Sequence, residues 1–277
     1  MQYYNLVDAY AGRSEIYENF KPGSNIKFIH IGKCGGTAFL AAFNMEKIKY
    51  SYEIHMKNTT YQPDYEKYIM WIRHPISRFV SAFMYNYAIH NTNVAELPYK
   101  IDTTNCICPE VLNPKRECMK KNEICYTWNK DFDFLVSYFK SPNDLAESLT
   151  SDDPQRKKYA HDLMQAGPEH IMRDINFYLF NGEFIEKYHD KFIFVGTMEN
   201  MEKDLIKCGK LINKTPNLNV RPRTNDYDSS YKYFSKKGLQ NIKNYLYKDY
   251  NCIKALYKYK LISKEVYDSY LTYKYIK

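Results

Sequence analysis

The chain has no long apolar run. Its longest, Ala38 to Phe43, is six residues, whereas a membrane-spanning helix needs about 18 or more, so no membrane span is expected. Nor does the N-terminus, MQYYNLVDAYAGRSEIYENF, supply the apolar core of a secretory signal, because charges interrupt it. The expectation is a soluble, cytoplasmic protein. Arginine is also scarce. The net charge of +8 comes from 40 basic and 32 acidic residues, yet only 8 of the 40 are Arg. Since Arg supplies the planar fork suited to phosphate, a Lys-dominated excess argues against a dedicated nucleic-acid partner. No internal repeat and no low-complexity tract is visible. What is present is core material: 44% of the 277 residues are hydrophobic and 17% aromatic, which excludes disorder of the whole chain.

Cysteine is not scarce, with seven at positions 34, 106, 108, 118, 125, 208 and 252. Cys106, Cys108, Cys118 and Cys125 fall within twenty residues, but their spacing, C-x-C-x9-C-x6-C, is not a pair of CxxC knuckles. Three states fit it: a zinc site, a local disulfide pair in an oxidising compartment, or reduced thiols in a surface insertion. The spacing does not choose among them, and no metal is required elsewhere.

Strand and helix signals alternate. Asn25 to Ile31 reads as a strand, ended by Gly32 and followed by a helix from about Thr37. Tyr68 to Ile72 is a nearly continuous apolar run of the kind found in parallel strands buried on both faces. Pro75 then opens a helix, with apolar residues at 76, 79, 80, 83, 84 and 87 forming one stripe, and with Ser77, Arg78 and Ser81 off it. From Asn86 to about Lys130 the pattern becomes irregular and Cys-rich, as in an insertion. Helical segments are expected near 131–139 and 169–180, a strand at Lys191 to Val195, a helix after it, and a long Tyr-rich helix near 237–258 whose Tyr245 to Tyr257 stripe is read as core. The pattern predicts one α/β domain over 1–277, a central parallel sheet flanked by helices, with ligands bound at the carboxyl ends of the strands.

Two segments at such ends carry chemistry. Gly32-Lys33-Cys34-Gly35-Gly36-Thr37 joins a strand to a helix. Its glycines let the backbone curl around an anion, Lys33 adds a point charge and Thr37 a hydroxyl. It is not a Walker A loop, because the lysine precedes the glycine pair and G-x-x-x-x-G-K-S/T is absent. The second segment is Arg73-x-Pro75-x-x-Arg78-x-x-Ser81. Arg73 ends its strand, and Ser81, expected on the exposed shoulder of the following helix, leans back toward it. Two anion sites on parallel strands suit a ligand with two separated phosphates. His30 and His74 read as hydrogen-bonded scaffold.

With these residues in place, the sequence resembles the sulfotransferases that use 3′-phosphoadenosine 5′-phosphosulfate (PAPS), in particular the Golgi-type carbohydrate enzymes that include the heparan sulfate 2-O group. FIHIGKCGGT at 28 to 37 resembles the family's 5′-phosphosulfate loop. IRHPISRFVSAF at 72 to 83 resembles its 3′-phosphate motif, and FVGTMENMEKDL at 194 to 205 a later strand and acidic helix. The stretch from 86 to 160 falls outside the resemblance.

The resemblance implies a P-loop-like sulfotransferase fold and transfer of a sulfuryl group from PAPS to a hydroxyl acceptor, a carbohydrate above all, leaving 3′-phosphoadenosine 5′-phosphate (PAP). It implies that Lys33 touches the 5′-phosphate and bridging oxygen, that the loop of Cys34, Gly35, Gly36 and Thr37 cradles that phosphate, and that Arg73 and Ser81 hold the 3′-phosphate. His55 stands where related enzymes keep a histidine base, and Glu53 is the rival base or the group that orients it. Arg221 and Arg223 are the remaining basic pair for cofactor or acceptor. Other readings are a nucleotide-dependent phosphotransferase, and a non-enzymatic basic module that binds glycan or nucleic acid. Acceptor identity and oligomeric state are not legible.

Overall fold

A computed structural model describes residues 26–44, 53–54, 67–91, 130–219 and 227–276. Four strands, β1 (Ile26–Ile29), β2 (Glu53–Ile54), β3 (Lys67–Ile72) and β4 (Phe192–Thr197), form one open parallel sheet in the order β2-β1-β3-β4. The ladder pairs Phe28 with Glu53, Ile29 with both Ile54 and Met70, and Ile72 with Thr197. Because every strand runs the same way, the segments after Ile29, Ile54, Ile72 and Thr197 all leave from one edge.

The sheet is covered on both faces by alternating side chains. Tyr68, Met70 and Ile72 of β3 join Ile29 in a core that includes Ile175, Tyr178, Ile185, Ile253 and Leu256. Ile69 and Trp71 pack on the other face with Phe28, Phe39, Phe43 and Leu205. This alternation makes β3 read as a continuous apolar run. Gly196 of β4 is required by the same packing, since a Cβ there would lie 2.3 Å from the Trp71 indole.

Helices supply the covering layers: α1 (Gly36–Ala42), α2 (Pro75–Asn91), α3 (Lys130–Tyr138), α4 (Pro142–Ser148), α5 (Pro154–Ala166), α6 (Glu169–Met172), α7 (Ile175–Leu179), α8 (Glu183–Tyr188), α9 (Met201–Leu211), α10 (Lys236–Tyr245), α11 (Tyr247–Lys258) and α12 (Lys264–Leu271). The apolar stripe of α2, Ile76, Phe79, Val80 and Phe83, anchors a third core with Val136, Phe139, Leu145, Leu163, Leu239 and Ile242. Side chains cap several helices: Ser141 accepts from Asp144 N–H at 3.0 Å, Asp153 from Gln155 N–H at 2.9 Å and Ser235 from Gly238 N–H at 3.0 Å. Among the described residues no helix is long and apolar enough to cross a membrane.

Several boundaries differ from the sequence reading. Asn86 does not begin the irregular segment; its amide donates to Ala82 O at 2.8 Å and α2 runs on to Asn91. Residues 92–129, with Cys106, Cys108, Cys118 and Cys125, lie outside the described ones. The segment 169–180 is interrupted at Arg173 and Asp174, where the Asp174 carboxylate caps α7 by accepting from Phe177 N–H at 2.8 Å. The expected helix over 237–258 is two helices that meet at buried Leu246.

Candidate functional site

The loop after β1 turns sharply. Lys33 has φ 68° and Gly35 φ 88°, and a side chain in this left-handed region is uncommon outside strained or functional segments. The turn is packed closely beside three of its glycines. A Cβ on Gly36 would come 1.9 Å from the His30 ring, one on Gly35 2.2 Å from Met198 Sδ, and one on Gly32 2.7 Å from His170 Nδ1. The helix starts at Gly36, one residue before the position expected from sequence, and no side chain caps it among the described residues. Thr37 stands exposed on its first turn.

Cys34 departs from its expected place. Its thiol is buried in the core under the sheet, and burial pushes its pKa up to about 12. Only its backbone belongs to the loop, and Cys34 N–H donates to Ile31 O at 3.1 Å.

Arg73 leaves the carboxyl end of β3, next to β1 in the sheet, and its Nη1 donates to Lys33 O at 3.4 Å. The two sequence motifs therefore meet. Lys33 Nζ in turn sits 3.9 Å from the centroid of the Tyr85 ring on α2.

Ser81 and Arg78 are not on an exposed shoulder. Ser81 is 5% exposed and Arg78 fully buried. The reason is that α2 is enclosed: β1's loop and α6 cover the side that its apolar stripe leaves free. Arg78 Nη1 donates to Gly32 O at 3.4 Å, His170 O at 2.9 Å and Arg173 O at 3.2 Å. Two buried carboxyls, Asp174 and Asp249, feel its charge without a hydrogen bond to it. Burial raises Asp249 well above the usual carboxylate range and raises Asp174 too, while the Arg78 charge opposes both. Asp249 Oδ1 accepts from Asn176 N–H at 2.8 Å.

His74 is scaffold, as expected. Its Nδ1 accepts from Ile76 N–H at 3.1 Å and its Nε2 lies 3.1 Å from Thr272 O, an arrangement that fits only the neutral Nε2–H tautomer. Burial lowers its pKa to about 4.

The loop after β4 adds a residue that sequence reasoning passed over. Glu199 accepts from the Tyr270 hydroxyl at 2.5 Å and from His74 N–H at 3.4 Å, so it braces the turn that carries Arg73. Burial, with the Glu199 carboxylate beside it, drives the Tyr270 hydroxyl far above its ordinary pKa. Tyr85 and His170 were missed as well. Tyr85 had a usable signal, standing four residues after Ser81 and seven after Arg78, hence on the same helical face. His170 had none, since it reaches the loop only through tertiary packing.

Of the other residues singled out, Glu53 is in β2, its backbone paired beside Phe28 on β1. His55, Arg221 and Arg223 lie outside the described residues. Among the described residues no three metal-binding side chains are gathered closely enough to hold an ion. Comparison with protein-family models, with curated proteins and with solved structures gave no match to the chain, so the geometry and the two motifs carry the functional argument.

Proposed function

We propose that the chain is a PAPS-dependent sulfotransferase with a P-loop-like fold, acting on a hydroxyl acceptor, in first place a carbohydrate. One observation carries the reading: the Lys33 loop and Arg73 leave the carboxyl ends of neighbouring parallel strands and are joined by the Arg73 Nη1 to Lys33 O contact of 3.4 Å. Two cationic side chains on one sheet edge, each with a hydroxyl nearby in sequence, support a ligand bearing two separated phosphates. On this reading Arg73 binds the 3′-phosphate, and Ser81, buried on α2, is not assigned to it. The loop from Lys33 to Thr37 binds the 5′-phosphate through its backbone and the Lys33 ammonium.

PAPS supplies the sulfuryl group, which the acceptor oxygen attacks as the sulfur's bond to the phosphate oxygen breaks and PAP departs. Lys33 offsets the negative charge that grows on that leaving oxygen. The acceptor's proton passes to His55 or Glu53, the bases implied by the family resemblance. The chain leaves β2 at Ile54, paired with Ile29 at the same sheet edge as the loop, which favours this stretch as the acceptor side.

The test is a thermal shift with PAP, 5′-AMP and ATP. A ligand at a hundred times its Kd stabilises a fold by about 2.7 kcal/mol. PAP is expected to produce the largest shift at equal concentration. Equal shifts with PAP and 5′-AMP would remove the 3′-phosphate site, and a larger shift with ATP would favour the phosphotransferase reading.

A further inference from the structure

A lysine in a binding loop has a flexible four-carbon stem, and fixing its ammonium costs rotamer freedom unless a partner holds it. The partner's chemistry matters. An aromatic face attracts an ammonium electrostatically through the ring quadrupole, without a proton or a hydrogen-bond acceptor. Lys33 has such a face: its Nζ lies 3.9 Å from the Tyr85 centroid. The ring is itself supported, because the His170 imidazole meets it edge-on, with centroids 5.1 Å apart and planes at 63°. His170 is anchored at two further points. Its carbonyl accepts from Arg78 Nη1 at 2.9 Å, and its ring fills the space beside Gly32, where a Cβ would stand 2.7 Å from Nδ1. The same Arg78 nitrogen reaches Gly32 O at 3.4 Å. The contacts form a closed circuit, from Lys33 to Tyr85 to His170 to Arg78 to Gly32 and back along the chain to Lys33.

We propose that Tyr85 is the positioning residue of Lys33: its ring, backed by the His170 imidazole, holds the ammonium against α2 before any ligand arrives. The assignment rests on Lys33 being the cation of the anion site, but it concerns the ligand-free chain. A preorganised ammonium saves the ordering cost at the moment of binding. The aromatic face, not the phenol hydroxyl, does the holding, so phenylalanine substitutes for tyrosine and an aliphatic residue does not.

The experiment uses the full chain without ligand and reads Lys33 directly. Acetylation by a limiting amine-reactive ester is followed by peptide mass spectrometry in the parent, Tyr85→Phe and Tyr85→Leu, with exposed Lys140 as the internal reference. Thermal melts confirm that each variant is folded. Lys33 in Tyr85→Phe should react within about twofold of the parent, and in Tyr85→Leu about three- to tenfold faster, while Lys140 stays constant. A Lys33 rate in Tyr85→Leu equal to the parent's overturns the proposal, as does a change in Tyr85→Phe as large as in Tyr85→Leu. Titration with PAP forms the second arm, in which Tyr85→Leu should bind about three- to tenfold more weakly and Tyr85→Phe like the parent. If the parent binds no PAP, the sulfotransferase reading falls and the acetylation rates still decide the role of Tyr85.

Discussion

Lowering the pH should weaken the fold through His74 by an amount the structure allows to be worked out. The ring is 6% exposed, and burial, with smaller contributions from the Lys243 and Arg73 charges, lowers its pKa from 6.5 to about 4. The unfolded chain therefore takes up the proton first. Stability held by the neutral ring is fully present above about pH 6.5, falls as the pH drops toward 4, and levels off below that. At 1.36 kcal/mol per pKa unit the full loss is about 3 kcal/mol, of which about 2 kcal/mol is gone by pH 5. Asp174 and Asp249 act the other way. Their raised pKa values mean that the folded chain holds their protons more tightly than the unfolded one, so their contribution grows as the pH falls.

A variant separates the two. His74→Gln keeps a donor for Thr272 O and loses the acceptor for Ile76 N–H, costing about 1 kcal/mol at every pH, and it removes the titrating ring. Urea denaturation of parent and variant at pH 7, 6 and 5 should show a gap in stability that closes, and by pH 5 reverses, as the parent loses its histidine contribution. A gap that stays constant from pH 7 to pH 5 would refute the assignment of a buried neutral ring.

Arg73→Ala should weaken PAP binding by about 1.5 to 3 kcal/mol, the range for hydrogen bonds to charged groups, and Arg73→Lys should recover only part of it; calorimetric titration that finds both variants equal to the parent removes Arg73 from the site. Arg78→Met should destabilise the chain by about 2 to 5 kcal/mol, because it leaves the Gly32, His170 and Arg173 carbonyls without that donor, at about 1 to 3 kcal/mol for each buried group left unpaired. Chemical denaturation within 1 kcal/mol of the parent, as an order-of-magnitude bound of about that size, would mean that Arg78 is not holding those groups.

The strands that sequence locates best are those whose pattern is set by burial on both faces. β3 is such a strand, and its apolar run ends within a residue of the observed ladder. The sequence pattern carries β1 on to Ile31, past the end of the ladder at Ile29, because Ile31 is as buried as Phe28 and Ile29 and hydrophobicity cannot tell a ladder residue from one packed beneath a loop. The apolar pattern of β4 ends at Val195, because Gly196 weakens a strand signal in sequence although the Trp71 indole makes glycine necessary there. The helices α4 and α5 lack a clear apolar period in sequence, and their signals are Ser141-Pro142 and Asp153-Pro154, N-cap and first-turn pairs both used as such in the fold. The junction at Leu246 was hidden for a different reason. No glycine or proline marks it, and Leu246 continues the apolar pattern.

The site divides along the same line. Lys33, Gly35 and Arg73 were visible because strand, turn and helix place them by local geometry, and adjacency of the two motifs followed from a parallel sheet. Periodicity could find the apolar stripe of α2, but it says only which face is apolar, not what covers the other one. Arg78 shows the difference. Being off the stripe does not say whether a side chain is solvated, and here that face meets the β1 loop and α6, where the carbonyls of Gly32, His170 and Arg173 all turn toward Nη1 of a fully buried guanidinium whose Nε and Nη2 have no hydrogen-bond partner among the described residues. The carbonyls belong to the backbone and leave no mark in residue identity. A buried arginine bound to main-chain oxygens is therefore indistinguishable in sequence from an exposed one, and the circuit that reaches Lys33 through Tyr85 and His170 becomes legible only when α6 is set against α2.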